Sequence, residues 1–391
     1  MKLIDLRNYI LKDSRGQREI ARLIDVKSKS TVSNFIKYFE VGKPEPSVKT
    51  VLKLYMLYGN NNKQDLKLLE DYGLFYIVKS SNLKELMDYC LEKNMFHLVG
   101  KLSDKGKGMK YPTPQVAMIY GLIAKAKLKE NGVTWGDIYV ESVNINCSDP
   151  QVLFLKNYVK ALYLLNAQNF DGISERYLKL KNVCLSMLEN IEDQKKIQMY
   201  TKFKPRVNEL LIRALVKLKE YTKVRKIAQE IINSEVGIRH KASAHYALGS
   251  SYLYDNKDKC ISHLEMSSKL YFECGMYTDS NHAQFQVEFS SIYWGETVGL
   301  VPISPINQAF LLATIGEMDE AKIQLGKEAE YNGYNAVFVR IVRALIEPSE
   351  MIEHDLLNQA RVQFEMWGDS HFADLPYEVF NRYKASKEVY G

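Results

Sequence analysis

The chain has 391 residues, of which 46% are hydrophobic and 26% are charged, and its formal net charge is +6. This composition excludes an intrinsically disordered chain, and the length allows more than one globular domain. No apolar run approaches the roughly 18 residues that a membrane span requires, and charges interrupt the apolar residues near the N-terminus. We therefore expect a cytoplasmic protein with no membrane partner, whose five scattered cysteines stay reduced.

The positive charge is concentrated at the N-terminal end. Residues 1–60 contain 12 Lys and Arg against 6 Asp and Glu, whereas residues 61–391 contain 41 of each. A localised basic surplus is what a nucleic-acid contact requires, while an evenly mixed surface would only be solvated. The charge distribution therefore favours DNA binding by the first 60 residues.

Two short helices flank a central helix pair in this segment. The first spans about Leu3 to Lys12, and its apolar face comprises Leu3, Leu6, Tyr9 and Ile10. The last follows Ser47, the expected cap, and its inward residues are Val48, Val51, Leu52, Tyr55 and Met56. The turn-forming run Gly59–Asn62 comes next, so we predict a first domain over residues 1–60 and a second over residues 61–391.

The central pair, Gln17–Phe39, resembles a DNA-reading helix-turn-helix. Apolar residues recur at helical spacing in its two halves, at Ile20, Ala21, Leu23 and Ile24, and then at Val32, Phe35, Ile36 and Phe39. Two features depart from the usual motif, because Asp25 stands where a turn glycine is common and the spacing from Ala21 to Val32 is one residue longer. The alternative is an ordinary pair of amphipathic helices in an α-helical repeat.

The outward side chains of this pair are of the types that contact base edges and phosphates. We predict a DNA-binding surface on the turn and the second helix. Its residues are Lys27, Ser28, Lys29, Ser30, Thr31, Ser33, Asn34 and Lys37.

Beyond residue 61 the sequence indicates helices in pairs. Three segments each combine a helix, a short polar turn and a second helix: residues 210–228, 244–262 and 308–325. The first two are in phase at about 34 residues, the tetratricopeptide period. The second segment keeps Leu248, Gly249 and Tyr252 of the repeat, and the third keeps the small residues Ala309 and Ala321, where the two helices of a repeat must cross closely. Stacked hairpins of this kind form a right-handed α-solenoid whose groove can bind an extended peptide.

The rest of the second domain is also expected to be helical. All ten prolines fall between the periodic segments, so we expect none inside a helix. The stretch Ile138–Ile145 alternates like a strand, although a short helix fits it equally well. The predicted fold class is therefore all-α, with a helix-turn-helix domain followed by a tetratricopeptide-like solenoid.

Signals for catalysis or cofactor binding are weak. The glycine-rich stretch at residues 100–108 is one residue too long for a phosphate loop and lacks its Ser or Thr, so we expect an ordinary loop. Cys260 and His263 have the spacing of a metal pair, with His240 and His245 nearby in sequence. No second close pair accompanies them, and His245 and His263 lie on different predicted helices. We predict a non-enzymatic protein without a metal or cofactor.

Five segments carry a family resemblance: LEDYG (69–73), LMDYCLEKNMF (86–96), PRV (205–207), IRHKASAHYALGSSYLY (238–254) and WGDSHFADLPYEVF (367–380). They resemble the peptide-sensing regulators of Gram-positive bacteria and their phages, the Rap, NprR, PlcR and PrgX group. The resemblance is closer to the arbitrium receptor (AimR) family of Bacillus phages. It implies a dimeric transcription factor of the lysis–lysogeny decision, in which the free receptor activates a promoter and a short communication peptide inhibits it.

The resemblance also implies a set of peptide-contacting positions: Arg213, Arg239, Ser250, Leu253 and Asp369. Arg239, Leu253 and Asp369 match the family in residue type, whereas Arg213 and Ser250 stand where the best-known members have Asn. The preferred peptide is therefore expected to differ. From the residues alone, Arg239 and Asp369 fit surface salt bridges between repeats at least as well.

Two further questions stay open from the sequence. The C-terminal segment, about residues 376–391, presents Val379, Phe380 and Tyr383 on one face, which suits a homodimer contact or a helix that caps the last repeat. The alternative function is a tetratricopeptide adaptor or Rap-like phosphatase regulator that binds a protein and no DNA. The N-terminal charge surplus favours the DNA-binding regulator.

Overall fold

A computed structural model describes residues 3–26, 28–39, 45–58, 65–129, 132–166, 175–193, 198–234, 236–333, 336–347 and 349–390. All regular structure in these ranges is helical. The all-α prediction is thereby confirmed. The chain divides into two compact units, Met1–Tyr163 and Leu164–Gly391.

The helices of the first unit are α1 (Leu3–Lys12), α2 (Gly16–Leu23), α3 (Lys29–Lys37), α4 (Val48–Tyr58), α5 (Asp65–Asp71), a π-helix (Tyr72–Tyr76), α6 (Ser80–Glu92), α7 (Phe96–Lys107), α8 (Thr113–Leu128), α9 (Trp135–Asn144) and most of α10 (Pro150–Asn166). The ambiguous stretch at residues 138–145 thus lies largely in α9 and is helical. The glycine-rich stretch at residues 100–108 lies mostly in α7, so the loop prediction is wrong. Its glycine at 106 allows close packing of α8, because a Cβ there would lie 2.4 Å from that of Ala117.

The first four helices pack through the predicted apolar faces, with three exceptions. Their buried residues include Leu3, Ile20, Val32, Phe35 and Val51, which are at most 1% exposed. The exceptions are exposed, namely Tyr9 by 56%, Leu23 by 42% and Met56 by 65%. Each lies beside the buried stripe of a helix of 8 to 11 residues, and a helix this short buries only a narrow stripe.

The turn between α2 and α3 forms with Asp25 at the position where a glycine is common. Asp25 has a φ of +48°, in the left-handed region that a glycine commonly occupies and that Asp tolerates better than most residues. Lys53 of α4 donates to the Asp25 carbonyl oxygen at 2.7 Å. Ser28 caps α3, because its side chain accepts from the backbone N–H of Ser30. The two helices therefore pack on each other as a compact pair despite the missing glycine.

Hydrogen bonds join the segment before α4 to the helices that follow α4. The Tyr72 hydroxyl donates to the Pro46 carbonyl oxygen at 2.8 Å, and the Asn82 amide donates to Glu45 at 2.6 Å. Glu45 also accepts from the backbone N–H of Lys79 at the start of α6. The predicted linker Gly59–Asn62 lies outside the described residues, and the predicted domain boundary at residue 60 stays a prediction.

The second unit continues the helical pairs with α11 (Arg176–Asp193), α12 (Gln198–Lys217), α13 (Tyr221–Asn233), α14 (Ile238–Ser251), α15 (Lys257–Glu273), α16 (Tyr277–Tyr293), α17 (Pro305–Ile315), α18 (Met318–Asn332), α19 (Val337–Ile346), α20 (Glu350–Met366), α21 (Ser370–Ala373) and α22 (Leu375–Tyr390). From α11 to α16 each helix packs on the next, and α12 also packs on α14. Such nearest-neighbour stacking is the arrangement of an α-solenoid.

The small residues of the repeats lie at close helix crossings. Ala309 and Ala321 are fully buried in the core where α17 packs on α18. A Cβ on Gly249 would lie 2.6 Å from Cγ of Leu264 and 3.0 Å from the Cys260 carbonyl oxygen. Only a glycine allows α14 and α15 to approach this closely.

One proline departs from the expectation that none lies inside a helix. Pro205 lies within α12, where it removes a backbone donor at a cost of about 3 kcal/mol. Phe203 and Val207 on either side of it are fully buried, and so is Leu211 nearby, at 2% exposure. Tertiary packing on both sides of Pro205 therefore holds the helix together. Among the described helices none is long and apolar enough to cross a membrane.

Candidate functional site

The second unit contains a cavity of about 240 Å³. Its walls come from helices that are distant in sequence, from the end of α10 to the short α21. The lining residues are Leu165, Tyr177, Arg213, Val216, Lys217, Tyr246, Ala247, Ser250, Tyr271, Asp279, His282, His371 and Phe372. A concave site with an apolar surround and a few convergent polar groups is typical of ligand binding.

The basic wall of the cavity belongs to α12. Arg213 and Lys217 are one helical turn apart and face the same side. Arg213 Nη2 donates to Glu209 Oε1 at 3.1 Å, and Lys217 Nζ donates to Asp369 Oδ2. Lys217 Nζ also lies 4.4 Å from the centre of the Phe372 ring. Each cation is thus held in place by an acidic residue that is itself buried.

Glu209 is a buried carboxylate at the centre of a charge network beside this wall. Its Oε2 lies 2.9 Å from His240 Nδ1 and 3.6 Å from Arg239 Nη2. Burial by itself raises the pKa of the Glu209 carboxyl, but Arg239, the hydrogen bond from His240 and Arg213 together lower that pKa far below its usual range. Glu209 is therefore ionised and connects Arg213 with Arg239.

A second wall of the cavity is formed by the segment around α21, which is distant from α12 in sequence. Asp369 caps α21 by accepting from the Phe372 backbone N–H, and its other oxygen accepts from Lys217. The Tyr221 hydroxyl lies 2.7 Å from His371 Nδ1, and the Tyr254 hydroxyl donates to the His371 carbonyl oxygen at 2.6 Å. These contacts hold a segment about 150 residues away in sequence against α12 and α13.

A third group of polar residues lies on α14 and α16. The Tyr246 hydroxyl and His282 Nε2 are 3.0 Å apart, and their rings stack. Burial is the main cause that raises the pKa of Tyr246 and lowers the pKa of His282, so both groups are neutral at pH 7. Asp279 lies one helical turn before His282 and adds a carboxylate to the lining.

The five predicted peptide contacts are only partly brought together. Arg213 and Ser250 line the cavity. Asp369 is not one of the lining residues, but it pairs with the lining residue Lys217. Arg239 connects to Arg213 only through Glu209, and Leu253 is buried in the hydrophobic core instead of the lining. The ion pairs of Arg239 and Asp369 are those that the salt-bridge alternative expects, so a peptide contact by either residue stays a prediction.

Several residues that line the cavity were not predicted from the sequence. They are Lys217, Tyr246, Asp279, His282, His371 and Phe372. A partial signal was present for some of them, because Arg213 with Lys217 and Asp279 with His282 are polar pairs at helical spacing. Nothing in the local pattern indicates that these pairs meet in one cavity.

The predicted dimer residues lie inside the second unit. Val379, Phe380 and Tyr383 are at most 8% exposed and belong to its hydrophobic core, where α22 packs on α19 and α20. This burial within one chain is what the capping alternative expects. A dimer contact through these three side chains stays a prediction.

In the first unit the predicted DNA-binding face is open to solvent. Ser28, Lys29, Ser30, Asn34 and Lys37 are exposed, and Thr31 and Ser33 are half-buried. Lys27 lies outside the described residues. Lys29 and Lys37 have no acidic partner among the residues that the structure describes, whereas Arg15, Arg22 and Lys53 nearby form ion pairs. Within the described part of the chain, Lys29 and Lys37 therefore add unpaired positive charge to the outer face of α3.

The residues considered as a metal cluster separate into two sites. His240 lies with Glu209, whereas His245 and His263 meet across α14 and α15 with their Nδ1 atoms 3.0 Å apart. Cys260 is fully buried. No group of three or more potential ligands forms in the described part of the chain.

The histidine pair should make stability depend on pH. Burial, and then the adjacent His263, lower the pKa of His245 to about 4, from about 6.5 in the unfolded chain. Protonation therefore favours unfolding, and stability is lost as the pH falls from 6.5 towards 4. Between pH 6.5 and 5, the free energy of unfolding measured with urea should fall by about 1 kcal/mol less in His245→Gln than in wild type. This figure allows for the partial exposure of the histidine pair. His263→Gln should act in the same direction, and equal losses in all three proteins would contradict the assignment.

Stacked helical hairpins around a cavity with a few convergent polar groups define an all-helical solenoid protein with a site of ligand size. The chain belongs to the AimR transcriptional regulator-like family, whose profile matches residues 65–338. A solved structure of phAimR with a ligand superposes with a TM-score of 0.65 at 18% identity, over 86% of this chain and 97% of that one. Selenomethionine phAimR gives a TM-score of 0.68 at 18% identity over the whole of both chains. No curated protein matches the chain. The resemblance to arbitrium receptors is thus confirmed at the level of the family and the fold.

Proposed function

We propose that this protein is a peptide-responsive, DNA-binding transcriptional regulator. The free protein binds a promoter through α3 and activates it, and a short linear peptide in the cavity of the second unit inhibits activation. The observation that carries this proposal is the cavity itself, where Arg213, Lys217, Asp279 and two neutral histidines converge within an apolar surround. Family membership supplies the regulatory role.

DNA binding rests on a separate argument, because the family profile begins at residue 65 and does not include α1 to α4. The support is the outer face of α3, which combines exposed Ser28, Ser30 and Asn34 with Lys29 and Lys37, two lysines that have no acidic partner among the described residues. Amides and hydroxyls can read base edges, and lysines neutralise phosphates. An α-helix with such a face fits the major groove.

A peptide is the ligand class that suits the cavity best. Its cationic wall can bind carboxylate or carbonyl oxygens, Asp279 can bind an amine or guanidinium group, and Leu165 and Val216 offer apolar contacts. A peptide carries all three kinds of group. Solenoid grooves commonly bind extended peptides, which supports the same assignment.

We also propose that the regulator acts as a homodimer. A single four-helix reading head contacts few base pairs, and a two-fold dimer doubles the sequence that is read. Val379, Phe380 and Tyr383 are committed to the core of one chain, so truncation before residue 376 is expected to unfold the second unit. Light scattering of the full chain is therefore the appropriate test of assembly, and a monomer at promoter-binding concentrations would contradict the dimer.

Mobility-shift titrations on the DNA beside the protein's own gene test the DNA-binding role. Asn34→Ala is expected to reduce the preference for promoter over unrelated DNA by about 1–3 kcal/mol, because it removes a base contact. Lys37→Ala should weaken binding to all DNA and reduce the slope of log K against log salt by about 0.9, because it removes a phosphate contact.

The matched control for these variants is Lys125→Ala, which removes an exposed lysine from α8. It should bind DNA like the wild type. If both α3 variants keep wild-type affinity, preference and salt slope, α3 is not the reading helix. Binding of a protein partner without any DNA binding would instead favour the adaptor function.

A further inference from the structure

We propose that His371 is a specificity-determining residue of the cavity. Its Nε2–H donates a hydrogen bond to a carbonyl or carboxylate oxygen of the bound peptide. A hydrogen bond from Tyr221 to Nδ1 fixes the imidazole in the tautomer that this role requires. The inference rests on the proposed peptide site and names one of its recognition groups.

The first observation is an unsatisfied polar atom at the cavity. His371 is only 1% exposed and lines the cavity. Its Nε2 is buried and has no hydrogen-bond partner among the described residues, although its Nδ1 has one. Buried polar groups are almost always paired, so an unpaired nitrogen on a residue of the cavity lining points to a partner on the ligand.

The second observation concerns which nitrogen carries the proton. The Tyr221 hydroxyl lies 2.7 Å from His371 Nδ1. Burial raises the pKa of Tyr221, so the phenol keeps its proton. Its O–H group can therefore donate a hydrogen bond to Nδ1. Burial, with Lys217 and Lys219 nearby, lowers the pKa of His371 well below its usual range, so the ring is neutral. A neutral imidazole that accepts at Nδ1 carries its proton on Nε2 and is a donor there.

The third observation is that the ring is held rigidly. The His371 carbonyl oxygen accepts from Tyr254, and the ring packs against the rings of Tyr254 and Phe372 at centroid distances of 5.4 and 4.6 Å. Asp369 caps the short helix that carries it. A donor fixed before binding loses little entropy when the ligand arrives, so it can discriminate between ligands by hydrogen-bond geometry.

The chemistry of the lining defines what His371 recognises. The cations Arg213 and Lys217 already contact Glu209 and Asp369, whereas the His371 donor has no protein acceptor within the described part of the chain. His371 is therefore a neutral donor beside partly neutralised cations. This combination suits a peptide carbonyl oxygen as well as a terminal carboxylate, and the two can be distinguished with matched peptides.

The test uses the full chain and a synthetic library of linear tetra- to hexapeptides, each made with a free and an amidated C-terminus. The tightest wild-type binder is then titrated by calorimetry into three variants. His371→Phe, which keeps the ring but not the donor, should lower affinity about ten- to thirtyfold. His371→Gln, whose amide can place an N–H near the position of Nε2, should stay within about threefold of wild type. Tyr221→Phe should lower affinity by less than His371→Phe.

A second readout is independent of binding. The imidazole ¹⁵N spectrum of the free protein should show His371 as the Nε2–H tautomer, and Tyr221→Phe should release this preference. Melting curves of each variant report whether it folds. Equal affinities for wild type and His371→Phe, or an Nδ1–H tautomer in the wild type, would overturn the inference while the peptide site remains. Failure of every peptide to bind wild type would overturn the proposed function, and the inference with it.

Discussion

Asp369→Ala is expected to lower the affinity for a peptide selected on the wild-type protein by at least about thirtyfold. Asp369 is 6% exposed and has two roles at the cavity. It neutralises Lys217, and it caps the helix that carries His371 and Phe372. The substitution therefore leaves a partly buried cation without its partner and loosens one wall of the site. Calorimetry with that peptide measures the loss.

Promoter binding without peptide should barely change in the same variant, because residues 61–391 carry no net charge to contribute to DNA binding. A peptide shifts the DNA-binding equilibrium only through its different affinities for the competent and incompetent forms. A variant that does not bind peptide should therefore keep the free-receptor behaviour. Arg239→Ala should act in the same direction, since Arg239 is linked to Arg213 through Glu209.

Asp374→Ala is the matched control for Asp369→Ala. Asp374 belongs to the same segment and pairs with Lys219, but both side chains are considerably exposed, at 55% and 37%. Such a surface pair contributes at most about 1 kcal/mol, so peptide affinity should change little. Unchanged peptide affinity in Asp369→Ala would remove this residue from the site. Loss of peptide and promoter binding together would mean that Asp369 only maintains the fold.

Glu209→Gln is expected to lower the free energy of unfolding by about 2–3 kcal/mol, because it removes a buried carboxylate whose arginine partners are only partly exposed. The carboxylate contacts Arg213, Arg239 and His240, and both arginines would lose this counter-charge. Urea unfolding, followed by circular dichroism, measures the difference.

Glu220→Gln provides the comparison for this stability effect. Glu220 also pairs with two cations, Lys181 and Lys223, but its side chain is 23% exposed against 6% for Glu209. Because solvent screens these pairs, Glu220→Gln should lower the free energy of unfolding by only about 1 kcal/mol. If Glu209→Gln and Glu220→Gln destabilise the protein equally, burial does not strengthen the Glu209 network.

The sequence predicted much of the helical architecture because helix formation is governed by local periodicity. The first helix was predicted over the same residues that form α1, and the outward face of α3 was identified by its spacing alone. Tyr9, Leu23 and Met56 were wrongly placed inward, because periodicity does not define how wide a stripe the neighbouring helices cover. Pro205 was wrongly excluded from a helix, because packing outweighs its local cost.

What the sequence by itself determined is therefore the all-helical hairpin pattern, the helix pair α2 and α3 and the basic N-terminal end, together with the family that its motifs resemble. Only the tertiary structure decided which polar residues share a site. Lys217 meets Asp369 across 152 positions, His371 meets Tyr221 across 150, and Leu253 turns into the core. The physical reason is that repeat packing brings distant helices together, and no periodicity within a helix encodes which distant face it will meet.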